Sequence, residues 1–259
     1  MINYTFTYGN LEYYLLILVR VTCFVYVAPF FSVKGIPNRV KVGFSIFLSF
    51  LLYGVVKRDP LTYNTVLGYT IIVLKEAATG LLIGYGAMIC NTITSFAGQI
   101  VDMQTGLSMV TIFDPNSNDN VTITGALYQY VMMAMLVVSG MYRFIIRALA
   151  DSFQLIPVNG AVFHSDKILQ AMLTFMSDYL VIGFRICLPV FVVTFILNMV
   201  LGILAKVSPQ LNMFAVGIEL KILVGLSVMY LTCSMLSGAA DFIFQNMKTL
   251  MQEFARGMV

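Results

Sequence analysis

The chain has 259 residues, of which 59% are hydrophobic and 10% are charged, and its mean hydropathy is +0.90. A soluble domain is about half apolar and about a quarter charged, so this composition excludes an ordinary water-soluble protein and predicts an integral membrane protein. The net charge of +3 is small and no long basic run is present, which leaves nucleic-acid binding without an electrostatic basis.

About six apolar stretches approach the roughly 20 residues that a helix needs to cross hydrocarbon. They are predicted at 11–31, 40–56, 66–90, 122–145, 179–205 and 212–238. The second stretch is the shortest and fits a hairpin arm as well as a span. We therefore expect an all-α membrane protein of about six hydrophobic helices or hairpins. The first basic residue is Arg20, so residues 1–31 are expected to be retained rather than cleaved as a signal peptide.

Ionised side chains lie within these apolar stretches, where lipid would otherwise surround them. They are Arg20, Lys75, Glu76, Arg185, Glu219 and Lys221. Each such charge costs about 3 kcal/mol at a helix centre. Neighbours such as Lys75 and Glu76 point about 100° apart on a helix and cannot pair with each other. Each charge therefore needs a partner on another helix, and two interpretations remain open: packing ion pairs between helices, or a proton or substrate pathway.

Two glycines in the third stretch, Gly80 and Gly84, form a G-x-x-x-G face. Such a face lets another helix approach closely. Because it lies beside Lys75 and Glu76, which need partners, it predicts a close contact between helices at this place.

Residues 91–113 have an amphipathic rather than a uniformly apolar pattern. Apolar residues recur at spacings of three and four, as on one face of a helix: Ile93, Phe96, Ile100, Met103 and Leu107. On roughly the opposite side lie Gly98, Asp102 and Gly106, at steps of four. This face suits close contact with another backbone, whose N–H groups or basic side chains the acid would meet. A helix at the membrane surface with a wet polar face is the alternative.

The chain has few residues of the types that commonly bind metals or act in catalysis. The four cysteines stand singly without C-x-x-C spacing and His164 is the one histidine, so a metal site or a catalytic triad is disfavoured. No nucleotide-binding loop or intramembrane-protease motif is present, and we expect neither a cofactor nor an enzymatic activity. A secondary transporter that uses Glu76, Arg185 or Glu219 on an ion path is the alternative, although the paired halves typical of transporters are not visible.

The string AGQIVDMQTGLSMVTIFDP at 97–115 closely resembles the signature of the FliR family. APFFSVKGIPNRVKVGFS at 28–45 resembles the family's first loop, and LGILAKVSPQLNMFAVG at 201–217 resembles its penultimate loop. The resemblance extends over the whole chain. FliR-type proteins belong to the flagellar export apparatus and correspond to the SctT subunit of type III secretion injectisomes, so both machines remain open.

This resemblance implies a core subunit of the flagellar protein export gate, in the bacterial cytoplasmic membrane within the flagellar basal body. With FliP and FliQ it would form a helical, closed conduit for unfolded flagellar proteins, beside FlhB and FlhA-like subunits. The resemblance also implies a division of the chain. Residues 1–120 would be FliP-like, with a plug segment at 106–119, and residues 121–259 would include a FliQ-like hairpin.

The family's plug loop corresponds to Leu107, Ser108, Met109, Val110 and Phe113. Flexible methionine and bulky phenylalanine at a constriction can seal against ions and still repack around a passing chain. The alternative is that Met109 and Phe113 are buried in the apolar stripe of the helix.

One position departs from the family pattern. Residues 217–221 read Gly-Ile-Glu-Leu-Lys, where relatives commonly carry proline or an apolar residue in place of Glu219. Glu219 is therefore expected to meet a basic group of a neighbouring, FlhB-like subunit. Neutralisation inside a multi-subunit assembly is the predicted role of the mid-helix charges.

Overall fold

The computed structural model of the protein describes residues 8–32, 35–56, 63, 65–109, 111–114, 119–208 and 213–259. Within them lie α1 (Tyr8–Val27), α2 (Asn38–Tyr53), α3 (Val66–Thr105), α4 (Ile123–Val138), α5 (Met141–Leu155), α6 (Ser165–Val207), α7 (Met213–Thr232) and α8 (Met235–Arg256). A short 3₁₀ helix (Leu107–Met109) and an antiparallel hairpin of β1 (Thr111–Asp114) and β2 (Asp119–Thr122) lie between α3 and α4. The predicted all-α class is confirmed, with this small hairpin added.

Four helices of the described chain, α1, α3, α6 and α7, are long and apolar enough to cross a membrane. The pair α4 and α5 would give a fifth span if they were one helix, but the chain turns between them at Ser139 and Gly140. Gly140 lies at this bend with φ +70°, a conformation that glycine adopts without steric cost. The predicted single stretch 122–145 is therefore wrong as one helix. The 16-residue α2 lies beside α1, where the Tyr14 hydroxyl donates to the carbonyl of Ile46.

The third helix is longer than predicted. The stretch 66–90 and the amphipathic segment after it form one helix of 40 residues. It ends at Thr105 rather than near residue 113, because Gly106 turns the chain with φ +87° and a strand follows. Helical spacing in the sequence continued past this turn and gave no sign of β1.

Two further boundaries differ. The stretch 179–205 is the second part of the 43-residue α6, which continues through Pro189. The stretch 212–238 is interrupted by a turn at Cys233 and Ser234, after which α8 begins. Helix α8 has no counterpart among the predicted stretches because only one of its faces is apolar. Hydropathy detects helices that are apolar all round and overlooks amphipathic ones.

The chain divides into two compact units. Unit 1 consists of residues 1–89, 140–175 and 246–259, and unit 2 of residues 90–139 and 176–245. Fully buried apolar side chains of unit 1 include Leu16, Ile17, Val21, Ile145, Leu149, Met247 and Phe254. Those of unit 2 centre on Val101, Tyr128, Cys187 and Val190. The predicted division into FliP-like and FliQ-like parts concerns likeness to other proteins, and it stays a prediction.

Candidate functional site

Arg20 of α1 and Glu76 of α3 form a buried ion pair in unit 1. The Arg20 Nε lies 2.6 Å from Glu76 Oε2, and neither side chain has exposed surface. The other carboxylate oxygen, Oε1, accepts a hydrogen bond from the backbone N–H of Asn159 at 3.0 Å. Two of the charges that needed partners thus meet each other, and both oxygens of Glu76 are occupied.

The rest of the Arg20 guanidinium lies against the end of α5. Its Nη1 donates to the carbonyl oxygen of Ile156 at 2.9 Å and to that of Ser152 at 3.4 Å. The guanidinium carbon lies 4.3 Å from the centre of the Phe153 ring. A cation at a helix C-terminus satisfies carbonyls that lack an intrahelical partner and complements the negative end of the helix dipole. One side chain therefore joins α1, α3 and α5.

The G-x-x-x-G face of α3 packs against α1 next to this pair. A Cβ added to Gly80 would overlap the carbonyl oxygen of Arg20, and one added to Gly84 would lie 3.1 Å from that of Phe24. The predicted close helix contact is confirmed, and α1 is the partner. Because Glu76, Gly80 and Gly84 follow one another at steps of four, they share one face of α3. That face presents the carboxylate and also lets α1 come near enough to reach it.

Among the described residues, the other mid-helix charges have no comparable partner. Lys75 and Lys221 are partly buried, whereas Arg185 and Glu219 are exposed. In the described part of the chain, Arg20–Glu76 is the one pair of opposite charges within 4.0 Å. The predicted packing of these four side chains against other subunits remains a prediction.

Asp102 of α3 is fully buried in unit 2 and binds the first turn of α4. Its Oδ2 accepts the backbone N–H of Thr124 at 2.8 Å and that of Gly125 at 3.4 Å. Its Oδ1 accepts the Thr124 hydroxyl at 2.5 Å. Thr122, which directly precedes α4, makes no side-chain cap hydrogen bond. Asp102 therefore caps α4 from a different helix, with its charge at the positive end of the helix dipole.

Gly98, one turn before Asp102, touches the same turn of α4. A Cβ on Gly98 would lie 2.5 Å from the Cα of Gly125, so the two backbones meet through glycines. The face of α3 that presents Gly98 and Asp102 is thus in contact with the backbone of α4 and with its N–H groups. The alternative of a wet polar face is wrong, because Asp102 has no exposed surface whereas Met103 on the apolar stripe is 70% exposed.

The contact of Asp102 with α4 closes a loop that runs from Gly106 to Thr122. The chain turns at Gly106, forms the 3₁₀ helix, and returns through β1 and β2, which pair from Thr111–Thr122 to Asp114–Asp119. The base of the loop also contacts α7. Thr105 packs directly on Gly225, and the Thr124 hydroxyl lies 3.7 Å from the Met229 sulfur. We refer to Asp102, Thr105 and Thr124 as the loop base.

The predicted plug residues lie on this loop, beyond its base. Leu107 is partly buried and Ser108 is exposed, both within the 3₁₀ helix. Val110 lies outside the described residues, as do the side chains of Met109 and Phe113. Their predicted plug role stays a prediction, and so does the alternative that Met109 and Phe113 are buried. Position 113 belongs to β1 rather than to a helix.

Sequence reasoning did not identify Thr124, Gly125 or Asn159, which supply the remaining hydrogen-bond donors at the two acids beside Arg20. A usable signal for the first two was present. Thr122-Ile123-Thr124-Gly125 stands directly before an apolar run, and hydroxyl residues at such a place mark a helix N-terminus. Asn159 lies in a turn after α5 and carries no comparable signal. Among the described residues, no three His, Cys, Asp or Glu side chains are grouped so that they could hold a metal ion.

The sequence matches the family described as bacterial export proteins, family 1, over residues 11–247. It is 28% identical over 223 residues to the flagellar biosynthetic protein FliR of Bacillus subtilis strain 168, which covers 85% of each chain. It is 26% identical over 241 residues to that of Aquifex aeolicus, covering 93% of this chain and 92% of the relative. With that of Escherichia coli K12 it shares 25% over 240 residues, covering 91% and 90%. The matched region contains both buried acids.

Proposed function

The chain belongs to family 1 of the bacterial export proteins, and on that basis we propose that it is the FliR-type core subunit of the flagellar protein export gate. In this role it assembles with FliP and FliQ in the cytoplasmic membrane, beside FlhB and FlhA-like subunits of the basal body. Unfolded flagellar proteins are its cargo. The observation that carries the proposal is the extent of the family match, which leaves only short ends of the chain outside it.

The surface of the chain supports a place inside a membrane assembly. Large apolar side chains on α6 and α7 are left exposed, among them Val181, Phe184, Leu188, Ile203, Leu223 and Leu231. A soluble protein on its own rarely exposes so many large apolar side chains on two helices. Lipid and other membrane subunits are the environments that would cover them.

The buried acids favour an assembly subunit over a secondary transporter. A carboxylate on an ion path must bind and release its ion, and so needs a free oxygen and access to the path. Both oxygens of Glu76 are occupied, by Arg20 and by the N–H of Asn159, and the side chain is fully buried. This arrangement favours the packing interpretation for Glu76.

The loop closed by the loop base supports a gating role for residues 107–113. Its ends are held by Asp102 and by contacts with α7, so a change within the loop leaves the packing of α3 on α4 in place. Deleting residues 108–113 should raise ion leak across the cell membrane of a strain that assembles the gate, because the seal is removed. A variant with Gly202→Ala, at an exposed helix position, serves as the control. Leak at the wild-type level in the deletion strain would contradict the plug role.

Deletion and complementation in the host test the function itself. Loss of the gene should abolish swimming and the release of flagellar proteins into the medium, and a plasmid copy of this chain should restore both. A tagged copy should recover the FliP and FliQ subunits from solubilised membranes. Intact flagella in the deletion strain would overturn the proposal, and would point to the injectisome if secretion of effector proteins were lost instead.

A further inference from the structure

Unit 2 contains a cavity of about 530 Å³ beside the turn that separates α7 from α8. One wall is the part of α6 with Arg185 and Pro189, and the other is the start of α8, where Gly238 and Phe242 lie. Most of the lining is apolar, with the hydroxyl residues Thr232, Ser234 and Ser237 at the turn. The volume falls within the roughly 300–1,000 Å³ of specific small-molecule sites.

Arg185 gives this cavity a charge that is not balanced. Its guanidinium is ionised at all physiological pH values. The side chain is exposed, and no acidic group lies within 4.0 Å of it among the residues that the structure describes. Pro189 has no N–H to donate to the carbonyl of Arg185 four residues earlier, so the helix backbone is also incompletely bonded here. The cavity therefore combines apolar walls with a cation that has no acidic partner among the described residues.

The packing of α6 and α7 places the cavity about one hydrocarbon thickness from the short connection between them. The two helices are antiparallel, since Gly217 near the start of α7 packs against Leu201 near the end of α6, and Thr232 at the end of α7 lines the cavity with Arg185. Helix α7 has 20 residues and is therefore about 30 Å long, which equals the thickness of a typical bilayer core. Its far end carries Tyr230, which is 82% exposed, as tyrosines at the membrane interface are. Where α7 crosses a bilayer, this length places the cavity near the lipid headgroups at one membrane face.

From these observations we infer that the cavity binds one anionic phospholipid. The phosphate lies against the Arg185 guanidinium and the hydroxyls at the turn, and the first acyl carbons lie between α6 and α8. Arginine is suited to this because its fork of N–H groups matches phosphate oxygens, and basic pockets between membrane helices bind anionic headgroups. A zwitterionic lipid would bring a second cation next to Arg185 and is disfavoured. The inference requires that α7 cross the bilayer, and it does not require the export function.

The test is lipid retention by the detergent-purified protein, followed by mass spectrometry of the bound phospholipid. Wild type should retain phosphatidylglycerol in preference to phosphatidylcholine, and Arg185→Gln should reduce retention about tenfold, as the loss of a charged hydrogen bond predicts. Gly238→Leu should reduce it similarly without any change of charge, by filling the cavity. A Cβ at this position meets nothing within 4 Å, so the fold should tolerate the substitution.

Matched controls come from the same molecule. Lys206→Gln removes an exposed cation from the last turn of α6, and Gly202→Leu adds the same bulk at another unobstructed glycine. Both should retain phosphatidylglycerol as wild type does. Equal retention of phosphatidylcholine, or unchanged retention in Arg185→Gln and Gly238→Leu, would overturn the inference.

Experiments on the same preparation distinguish two other occupants of the cavity from a phospholipid. Soluble glycerol 3-phosphate that displaced phosphatidylglycerol at equal concentration would mean that the acyl chains are not recognised. Loss of co-purified membrane subunits in Arg185→Glu, with phosphatidylglycerol retention unchanged, would mean that a carboxylate of a neighbouring helix occupies the cavity. Either result would overturn the lipid assignment.

Discussion

Replacing Glu76 by glutamine tests whether the Arg20–Glu76 pair holds unit 1 together. Glutamine has nearly the same shape and keeps a carbonyl oxygen for the N–H of Asn159, so the change removes little besides the charge. Arg20 would then remain ionised and fully buried without a counter-charge. Breaking a buried pair by removing one partner costs about 3–5 kcal/mol of the free energy of unfolding. At roughly 2–4 °C per kcal/mol for a chain of this size, Tm should fall by roughly 6–20 °C.

The assay is the fraction of a fluorescent fusion that stays monodisperse in detergent after heating. Arg20→Met combined with Glu76→Gln should recover most of the lost Tm, because neutral side chains of similar volume often replace a buried pair at little cost. The carbonyls of Ser152 and Ile156 lose their donor in this double variant, so recovery should be incomplete. Glu219→Gln, at an exposed position, should change stability by no more than about 0.5 kcal/mol. A double variant no more stable than Glu76→Gln alone would refute the reasoning.

Two further predictions concern Asp102 of the loop base and the neighbouring Gly98. Asp102→Ala should lower the free energy of unfolding by about 1–3 kcal/mol, because the N–H groups of Thr124 and Gly125 lose their acceptor. Asp102→Asn should lower it less, because the amide oxygen of asparagine still accepts a hydrogen bond. Equal losses in the two variants would contradict this account. Gly98→Ala should lower the free energy of unfolding by about 1–3 kcal/mol, because the new methyl group would overlap the backbone of α4. A Cβ at Gly202 meets nothing within 4 Å, so Gly202→Ala should leave the free energy of unfolding unchanged or raise it by up to about 1 kcal/mol. Thermal unfolding of purified protein measures all four, and a Gly98→Ala variant as stable as Gly202→Ala would show that the backbones are not in contact.

Composition was enough to predict the class of the fold, because a typical soluble domain is only about half apolar and has about a quarter of its residues charged. The positions of α1 and α2 and the start of α7 were also predictable to within a few residues. The C-terminal end of α3 and the start of α6 were not predictable. A helix continues through a segment with polar residues when tertiary packing stabilises that segment. The break at Gly140 was missed for the opposite reason. A single glycine in an apolar run is compatible with a continuous helix, and only its φ of +70° makes it a bend.

The need for partners could be predicted, but not the identity of each partner. The cost of an isolated charge in hydrocarbon required a counter-group for Arg20 and for Glu76. Nothing in the sequence links two residues that are 56 positions apart. The glycines at Gly80 and Gly84 located the place of contact on α3, because close approach of two helices depends on small side chains at regular spacing. They could not show which helix approaches.

The mid-helix charges fall into two groups, and this division predicts how their variants should differ. Arg20, Glu76 and Asp102 have partners within the chain, so changes there should lower the stability of the isolated protein. Glu219 is exposed and has no opposite charge within 4.0 Å among the described residues. Glu219→Lys should therefore leave the Tm of the isolated chain nearly unchanged, since exposed substitutions usually alter stability by less than about 0.5 kcal/mol.

The effect of Glu219→Lys should instead appear in assembly. If a basic group of a neighbouring subunit faces Glu219, the new lysine places two like charges together, and recovery of partner subunits with a tagged chain should fall. Lys206→Glu, also an exposed charge reversal, is the control and should leave recovery unchanged. Normal recovery in Glu219→Lys would remove the proposed contact, whereas a lowered Tm would place the partner of Glu219 within the chain. Measuring both quantities on one preparation separates a charge that stabilises the fold from a charge that recognises another subunit.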